Sequence, residues 1–275
     1  MPNVVIDPCT AAVTGIECFF AEQKLSIGTG FYWRSGHDVF LITNWHVVTG
    51  RDQVTGKHMS REAAEPDGLQ VDLLRNANLN QRFSERVPLY GTDGAPLWKE
   101  HRAWHSEIDV VALPMGDLGQ HTMPLNDVPV FAGLRGVGMD VFVIGFPRGI
   151  GPERHAIWKR ASIASEPDVN VDGLPLRLVD TSTSAGMSGS PVVQRFRGQA
   201  VGNDGGLNIG VNGYQMLGVY SGRLAGPGEG EVTLGRVWKE ALIEEIASAG
   251  VQGDRELRGR KQIFQTIDYR SSGLI

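Results

Sequence analysis

The stretch AGMSGSPVV, residues 185–193, holds one serine between two glycines immediately before an apolar run. Glycine at position 186 lets the backbone turn without a side-chain clash, so the N–H groups of Gly186 and Ser188 can point together at one oxyanion. Gly189 leaves space behind the Ser188 hydroxyl. Taken alone, such a tripeptide is more often an ordinary turn. The stretch therefore predicts a nucleophilic serine only if the chain also provides a base and an acid.

The sequence TNWHVV, residues 43–48, provides the candidate base. His46 follows the strand-like run at 39–42, where a strand ends and a short turn or helix begins, which is a suitable position for the edge of a cleft. The alternative is a histidine that is satisfied by local backbone groups. The other six histidines, at positions 37, 58, 101, 105, 121 and 155, lack comparable surroundings.

The candidate acid is Asp109, at the head of the apolar run VVAL, residues 110–113. A carboxylate there is largely desolvated unless it finds a hydrogen-bond partner, and the imidazole of His46 is such a partner. The alternative is an acid that faces solvent at the start of a strand. Triads on two other folds run in the orders Asp-His-Ser and Ser-Asp-His, whereas this chain has the order His46, Asp109, Ser188. A Gly-x-Ser-x-Gly nucleophile elbow is disfavoured, because position 190 is serine.

The composition restricts the class of protein. The chain has 275 residues, a net charge of −5, 41% hydrophobic residues, 36 glycines and 2 cysteines. These values exclude a disordered chain, a collagen and a disulfide scaffold. A chain of this length holds one large domain or two small domains that share a cleft. Cys9 and Cys18 are expected to remain free thiols, and no role is assigned to them.

Charge and hydropathy restrict the partners. Because lysines and arginines form no dense block, neither nucleic acid nor an anionic membrane is expected as a primary partner. The opening MPNVVIDPCT lacks the pattern of a secretory signal. The longest apolar runs are also far shorter than the roughly 20 residues that span a bilayer. We therefore expect a cytoplasmic protein without a transmembrane segment. No cofactor or metal is predicted, since a metal site at His101 and His105 requires a helix in a stretch that looks strand-like.

Short apolar runs separated by turn residues favour an all-β chain. They lie at 16–20, 30–33, 39–42, 69–74, 110–113, 141–145, 176–180, 191–193 and 214–220. One helix is expected at 235–250, packed on the second half, because apolar residues recur there at three- and four-residue steps. Glycines and prolines between positions 114 and 129 indicate a connection between two halves. We place the halves at 1–120 and 121–250, followed by a flexible tail, 251–275, with an edge strand at 263–267.

These three motifs, in this order, resemble those of the chymotrypsin-like (trypsin-like) serine peptidases, and within them the bacterial branch that includes the glutamyl endopeptidases. The segments GFP at 145–147 and GVYSG at 218–222 are also similar to the family, so the likeness extends over about residues 15–250. The resemblance implies two antiparallel six-stranded β-barrels with a C-terminal helix and with the triad in the crevice between the barrels.

The resemblance also implies a mechanism. The chain would be a serine endopeptidase that acts on protein or peptide substrates through an acyl-enzyme intermediate. His46 would accept the proton of Ser188, and Asp109 would hold the imidazole in the required tautomer. The N–H groups of Gly186 and Ser188 would bind the oxyanion. The alternative is a catalytically silent member of the same fold that binds peptides.

The same resemblance assigns a primary specificity pocket. Ser182 would lie at its base with Thr183 beside it, and Tyr220 and Arg223 would form the opposite wall. Because Ser182 is not a carboxylate, cleavage after lysine or arginine is not expected. Tyr220 replaces the histidine that glutamyl endopeptidases usually have, and Arg223 would either attract an acidic side chain or narrow the pocket.

Two further positions are compared with the family. Ser221 belongs to the strand that would line the substrate cleft, so it is counted among the substrate-binding residues, and it would donate a hydrogen bond to Asp109. Met187 stands where the animal digestive enzymes have the aspartate that captures a new N-terminal amine, so activity is expected without removal of a propeptide.

Overall fold

Strands dominate the computed structural model, which describes residues 5–60, 62–75, 79–224 and 234–255. In these ranges the strands are β1 (Val13–Phe20), β2 (Gln23–Ser35), β3 (Asp38–Thr43), β4 (Gly68–Leu74), β5 (Arg82–Pro88), β6 (Lys99–Glu100), β7 (Val111–Pro114), β8 (Asp140–Gly145), β9 (Ile157–Ile163), β10 (Leu176–Asp180), β11 (Pro191–Val201), β12 (Leu207–Arg223), β13 (Leu234–Lys239) and β14 (Val251–Gln252). The helices are α1 (Pro8–Ala11), α2 (Trp45–Thr49) and α3 (Ala241–Ala249), and short 3₁₀ turns occur at Gly116–His121, Leu125–Asp127, Pro147–Gly149 and Pro152–Arg154. The predicted edge strand at 263–267 lies outside the described residues.

Seven strands of the first half, β1–β7, form an eight-stranded antiparallel sheet together with β14, from the segment predicted as a tail; the order is β14-β6-β7-β3-β2-β1-β4-β5. The expectation of a six-stranded barrel is wrong for this half, because two short strands, β6 and β14, extend the sheet. The chain at β14 lies so close to Trp98 that a Cβ atom at Gly253 would stand 2.1 Å from the indole nitrogen. Only glycine permits this approach, and the N–H of Gly253 donates to the carbonyl oxygen of Trp98 at 2.9 Å.

The second half forms a closed barrel of six strands with the order β10-β13-β12-β11-β8-β9. Its interior is filled by apolar side chains from alternating positions, as expected for strands with one buried face. These side chains include Val143, Val179, Leu217 and Val237. Met187, from the serine stretch, is buried in the same cluster.

Helix α3 begins at Ala241, later than the predicted start at residue 235. Residues 234–239 form β13 instead, where Trp238 pairs with Leu176 on one side and Val219 on the other. Pairing on both edges outweighs the helical spacing of the apolar residues. The helix contacts β2, β6 and β7 of the first sheet as well as β13 of the barrel. It therefore packs on both halves rather than on the second half alone.

The stretch between His101 and His105 is a tight turn and not a helix. His105 has φ +43°, and its N–H donates to the carbonyl oxygen of His101 at 2.8 Å. The His101 ring hydrogen bonds to Glu245 at 3.0 Å, so it ties this turn to α3. In the part of the chain that the structure describes, no group of three metal-ligating side chains is assembled, and no helix has the length and hydropathy needed to cross a membrane.

Glu100 lies on β6, next to β14 at one edge of the first sheet. Its carboxylate is buried, and the residue is only 1% exposed. One oxygen accepts the indole N–H groups of Trp45 and Trp98, both at 3.1 Å, and the backbone N–H of Asp254 at 2.8 Å. The other oxygen has no hydrogen-bond partner among the described residues. Burial raises the pKa of Glu100, and the hydrogen bonds offset only part of this effect.

This raised pKa makes stability depend on pH. Because the folded state holds the Glu100 proton more tightly than the unfolded state, the contribution of Glu100 to stability is complete at low pH. It is lost as the pH rises through the folded-state pKa. We expect the free energy of unfolding to decline less steeply for Glu100→Gln than for the wild type between about pH 4 and pH 7. Urea unfolding at several pH values measures this slope. The control is Glu85→Gln, at an exposed carboxylate, and a Glu100→Gln slope equal to that of the wild type would contradict the prediction.

Candidate active site

Two adjacent strands bring His46 and Asp109 together. β3 ends at Thr43, directly before the helix α2 that carries His46, and Thr43 pairs with Val111 at the start of β7. Asp109 lies just ahead of β7, so both residues are at the same end of the sheet. The Nδ1 atom of His46 is 2.7 Å from Asp109 Oδ2, and the backbone N–H of His46 donates to Asp109 Oδ1 at 3.0 Å.

This pair fixes the orientation of the imidazole. Asp109 is 1% exposed, so its carboxylate is held by protein groups rather than by bulk solvent. The side chain of Asn44 donates to the Asp109 carbonyl oxygen at 2.6 Å and holds the backbone next to the carboxylate. Because the carboxylate accepts the Nδ1 proton, a neutral His46 presents Nε2 as an unprotonated acceptor.

Ser188 reaches the same site from the second half. It lies in the loop between β10 and β11, is half-buried, and lines a cavity of about 370 Å³ together with His46. No hydrogen bond joins the two side chains in the described residues. In unliganded sites, catalytic hydrogen bonds are often long and tighten only when substrate binds.

Thr29, on β2, attaches the serine loop to the first sheet, and the sequence analysis did not identify it. Its N–H donates to the Ser188 carbonyl oxygen at 2.8 Å, and its hydroxyl donates to the Gly186 carbonyl oxygen at 2.7 Å. The Thr29 hydroxyl also accepts the N–H of Phe146 at 3.1 Å. A Cβ atom at Gly189 would lie 2.0 Å from the Thr29 carbonyl oxygen, so this contact requires glycine at position 189.

The peptide between Ala185 and Gly186 has a defined direction. The N–H of Arg148 donates to the Ala185 carbonyl oxygen at 2.6 Å. In a planar trans peptide the carbonyl and the following N–H point in opposite directions, so the Gly186 N–H points away from Arg148. Gly186 has φ +91°, and a Cβ atom there would stand 2.4 Å from the Phe146 carbonyl oxygen. Arg148 itself has φ +53°, which is uncommon for a residue with a side chain.

The N–H groups of Gly186 and Ser188 have no acceptor within the described ranges. Gly186 is buried, and a buried N–H group without an acceptor is costly unless a ligand atom or solvent satisfies it. Two such donors next to a serine hydroxyl and an oriented imidazole form a site that can stabilise a negatively charged oxygen.

The residues predicted for the specificity pocket divide into two groups. Ser182 and Arg223 are exposed, whereas Thr183 and Tyr220 are buried and their hydroxyl groups hydrogen bond to each other. Tyr220 is 1% exposed and belongs to the barrel core, where a Cβ atom at Gly235 would lie 2.5 Å from its ring. Tyr220 is therefore packed in the barrel core, and its assignment to the pocket stays a prediction. Burial also raises its pKa.

The predicted hydrogen bond from Ser221 to Asp109 is not formed. The Ser221 hydroxyl is buried and has no partner among the described residues. The pairing of β12 with β13 is irregular between Tyr220 and Arg223, and such an irregularity interrupts the alternation of side-chain directions along a strand. The expected role of Ser221 came from the resemblance to the family and not from the strand pattern.

The cavity next to His46 and Ser188 has apolar walls that the sequence analysis did not predict. The side chains come from the start of β2, from α2 and from the loop that follows α2; they are Leu25, Ile27, Val47, Met59, Ala64 and Pro66. These are common residue types in three separate segments. Nothing in their local pattern distinguishes them from core residues.

Comparisons with known proteins identify the family. A family model described as the trypsin-like peptidase domain matches residues 28–202, which is more than half of the chain. The chain therefore belongs to the trypsin-like peptidase family, and its predominantly β structure has the chymotrypsin-like fold. The narrower relation to glutamyl endopeptidases stays a prediction.

Several solved protease structures are similar to the chain at low identity. Rv3671c from M. tuberculosis H37Rv has 18% identity and a TM-score of 0.45, with 87% of this chain and 86% of that chain covered. The serine endoprotease from Yersinia pestis has 14% identity and a TM-score of 0.47, with 90% and 70% covered. The MamO protease domain from Magnetospirillum magneticum has 15% identity and a TM-score of 0.47, with 86% and 95% covered. No curated protein matches the sequence.

Proposed function

We propose that this chain is a serine endopeptidase that hydrolyses peptide bonds in proteins or peptides through an acyl-enzyme intermediate. Membership of the trypsin-like peptidase family supports a peptidase in general. The observation that carries the specific proposal is the hydrogen bond between Asp109 and His46, because His46 lines one cavity together with Ser188 and Gly186, whose N–H groups have no acceptor among the described residues.

In the first proposed step, the Ser188 oxygen attacks the carbonyl carbon of the scissile peptide bond. A new C–O bond forms, the carbonyl π electrons move to the oxygen, and the hydroxyl proton passes to His46 Nε2. The N–H groups of Gly186 and Ser188 donate to the resulting oxyanion. Asp109 remains ionised and stabilises the imidazolium through Nδ1.

The remaining steps release two products. The oxyanion collapses, the C–N bond breaks, and His46 gives its proton to the departing amine, which leaves an acyl ester on Ser188. His46 then accepts a proton from water as the water attacks the ester. Collapse of the second oxyanion breaks the bond to Ser188, and the returned proton restores the free hydroxyl.

We also propose that this activity needs no newly formed N-terminal amine. Met187, next to Ser188, is buried among apolar side chains of the barrel. A methionine thioether carries no charge and forms no ion pair with an ammonium group. The Gly186 peptide is instead held by contacts within the chain, from Thr29 and Arg148.

A fluorophosphonate probe tests the proposal, because it reacts covalently with an activated serine. We expect one probe molecule per chain, on Ser188 in the wild type, and none in Ser188→Ala, as measured by intact mass and peptide mapping. A folded wild-type protein that takes up no probe would contradict the proposal. That outcome would favour the alternative of a silent peptide-binding member.

A further inference from the structure

The cavity next to His46 is lined mainly by apolar side chains. Its volume of about 370 Å³ falls within the range of binding pockets for small ligands. Its apolar lining includes Leu25 and Ile27 from β2, and Met59 and Pro66 from the loop that follows α2. Apart from the His46 imidazole, no ionisable side chain lines the cavity among the described residues. A charged group placed there would lose its hydration without gaining an ionic partner.

The position of the cavity relative to Ser188 indicates which part of a substrate enters it. The residues that precede Ser188, Ala185 and Gly186, line the cavity. The residues that follow it bond to β12: Gly189 N–H donates to the Tyr220 carbonyl oxygen, and Tyr220 N–H donates to the Ser190 carbonyl oxygen, both at 2.9 Å. The residues before Ser188 therefore face the cavity, whereas the residues after it face β12.

The direction of proton transfer assigns the leaving group to the cavity side. In the proposed reaction His46 must deliver a proton to the departing amine, so this amine lies beside the imidazole. His46 and the adjacent Val47 both line the cavity. The residues that the resemblance assigns to the primary specificity pocket, including Tyr220 and Arg223, do not line it.

We propose that this cavity binds the side chain of the residue that begins the released fragment, and that it selects a large apolar side chain such as Leu, Met or Phe. This inference rests on the proposed endopeptidase function. Met59 is 61% exposed at the cavity, and a flexible thioether adapts to apolar groups of different shape. Selection by the cavity thus acts on the leaving-group side of the scissile bond, independently of the acyl side.

Capture of the acyl-enzyme by amino-acid amides tests the leaving-group side directly. Blocked amino-acid thioesters acylate Ser188 and release a thiol. The free amine of an added amino-acid amide then competes with water for the acyl ester on Ser188. The amine nitrogen forms a new C–N bond to the acyl carbon, the bond to Ser188 breaks, and the amine proton returns through His46 to the serine oxygen. Mass spectrometry gives the ratio of the peptide-bonded product to the free acid.

We expect leucinamide and phenylalaninamide to capture the acyl group about tenfold or more better than glycinamide or the α-amide of aspartic acid, which keeps a side-chain carboxylate. Equal capture by all four amides would overturn the inference while leaving the endopeptidase proposal intact. Absence of both thiol release and fluorophosphonate labelling would instead overturn the proposed function, and the inference with it.

A rim variant with a matched control identifies the cavity as the site of selection. Met59→Lys adds a cation at the cavity, and we expect it to lower the ratio of capture by leucinamide to capture by the α-amide of aspartic acid by about tenfold. Ile209→Lys places the same charge on β12 at a residue that is 79% exposed and does not line the cavity, and it should keep the wild-type ratio. The inference is wrong if both variants give the wild-type ratio.

Discussion

The Ser188→Ala variant is expected to lose peptide hydrolysis by a factor on the order of 10³ or more, because it lacks the oxygen that forms the acyl bond. The amide donors of the site remain, so a small residual rate over the uncatalysed reaction is expected. Rates of peptide cleavage measured under single-turnover conditions determine the size of the loss.

The structure offers a matched control for this variant. Ser248 is an exposed serine on α3 whose hydroxyl donates only to the Glu244 carbonyl oxygen in the same helix. Ser248→Ala should keep the wild-type rate. Because the Ser188 side chain makes no hydrogen bond within the described residues, Ser188→Ala should also keep the wild-type melting temperature. Hydrolysis at the wild-type rate in Ser188→Ala would show that a group other than Ser188 attacks the peptide bond.

The second large effect is expected for Asp109→Asn, with a loss of roughly 10⁴ in kcat. The backbone N–H of His46 still needs an acceptor, so the carbonyl oxygen of the new amide faces that N–H. The amide NH₂ group then faces Nδ1 and donates to it. This arrangement moves the imidazole proton to Nε2, where it prevents His46 from accepting the proton of Ser188.

Asp140→Asn is the matched control for the charge change. Asp140 is an exposed carboxylate that pairs with Arg160 on the neighbouring strand β9, in the second half. Its loss should leave kcat unchanged, whereas Asp109→Asn should reduce kcat with little change in KM. A wild-type kcat in Asp109→Asn would show that the tautomer of His46 does not depend on this carboxylate.

The parts of the fold that were predictable from the sequence depend on local patterns. β3 and β8 follow uninterrupted apolar runs, and the segments around His46 and Ser188 have residue types that suit only a few backbone conformations. β13 was assigned to a helix, since residues 235–239 have helical spacing and the competing strand partners lie far away in the chain. β6 and β14 contain two residues each, and no periodicity is detectable over that length.

The candidate site also has residues that were predictable from the sequence and residues that were not. His46, Asp109 and Ser188 carry distinctive chemistry, so their order along the chain was informative. The burial of Tyr220 was not predictable, because it depends on the missing side chain at Gly235 on another strand. The walls of the cavity are built from ordinary apolar residues that become neighbours only when the chain has folded. Their role follows from position and not from residue type.

Thr29 makes the proposed chemistry a property of the completed fold. It donates to the loop that carries the nucleophile, while its own strand belongs to the half that carries the base. A growing polypeptide that has emerged only as far as β10 already has the imidazole and the carboxylate, but it lacks the alcohol. In the proposed reaction, the site is therefore complete only when the second barrel has closed against the first sheet.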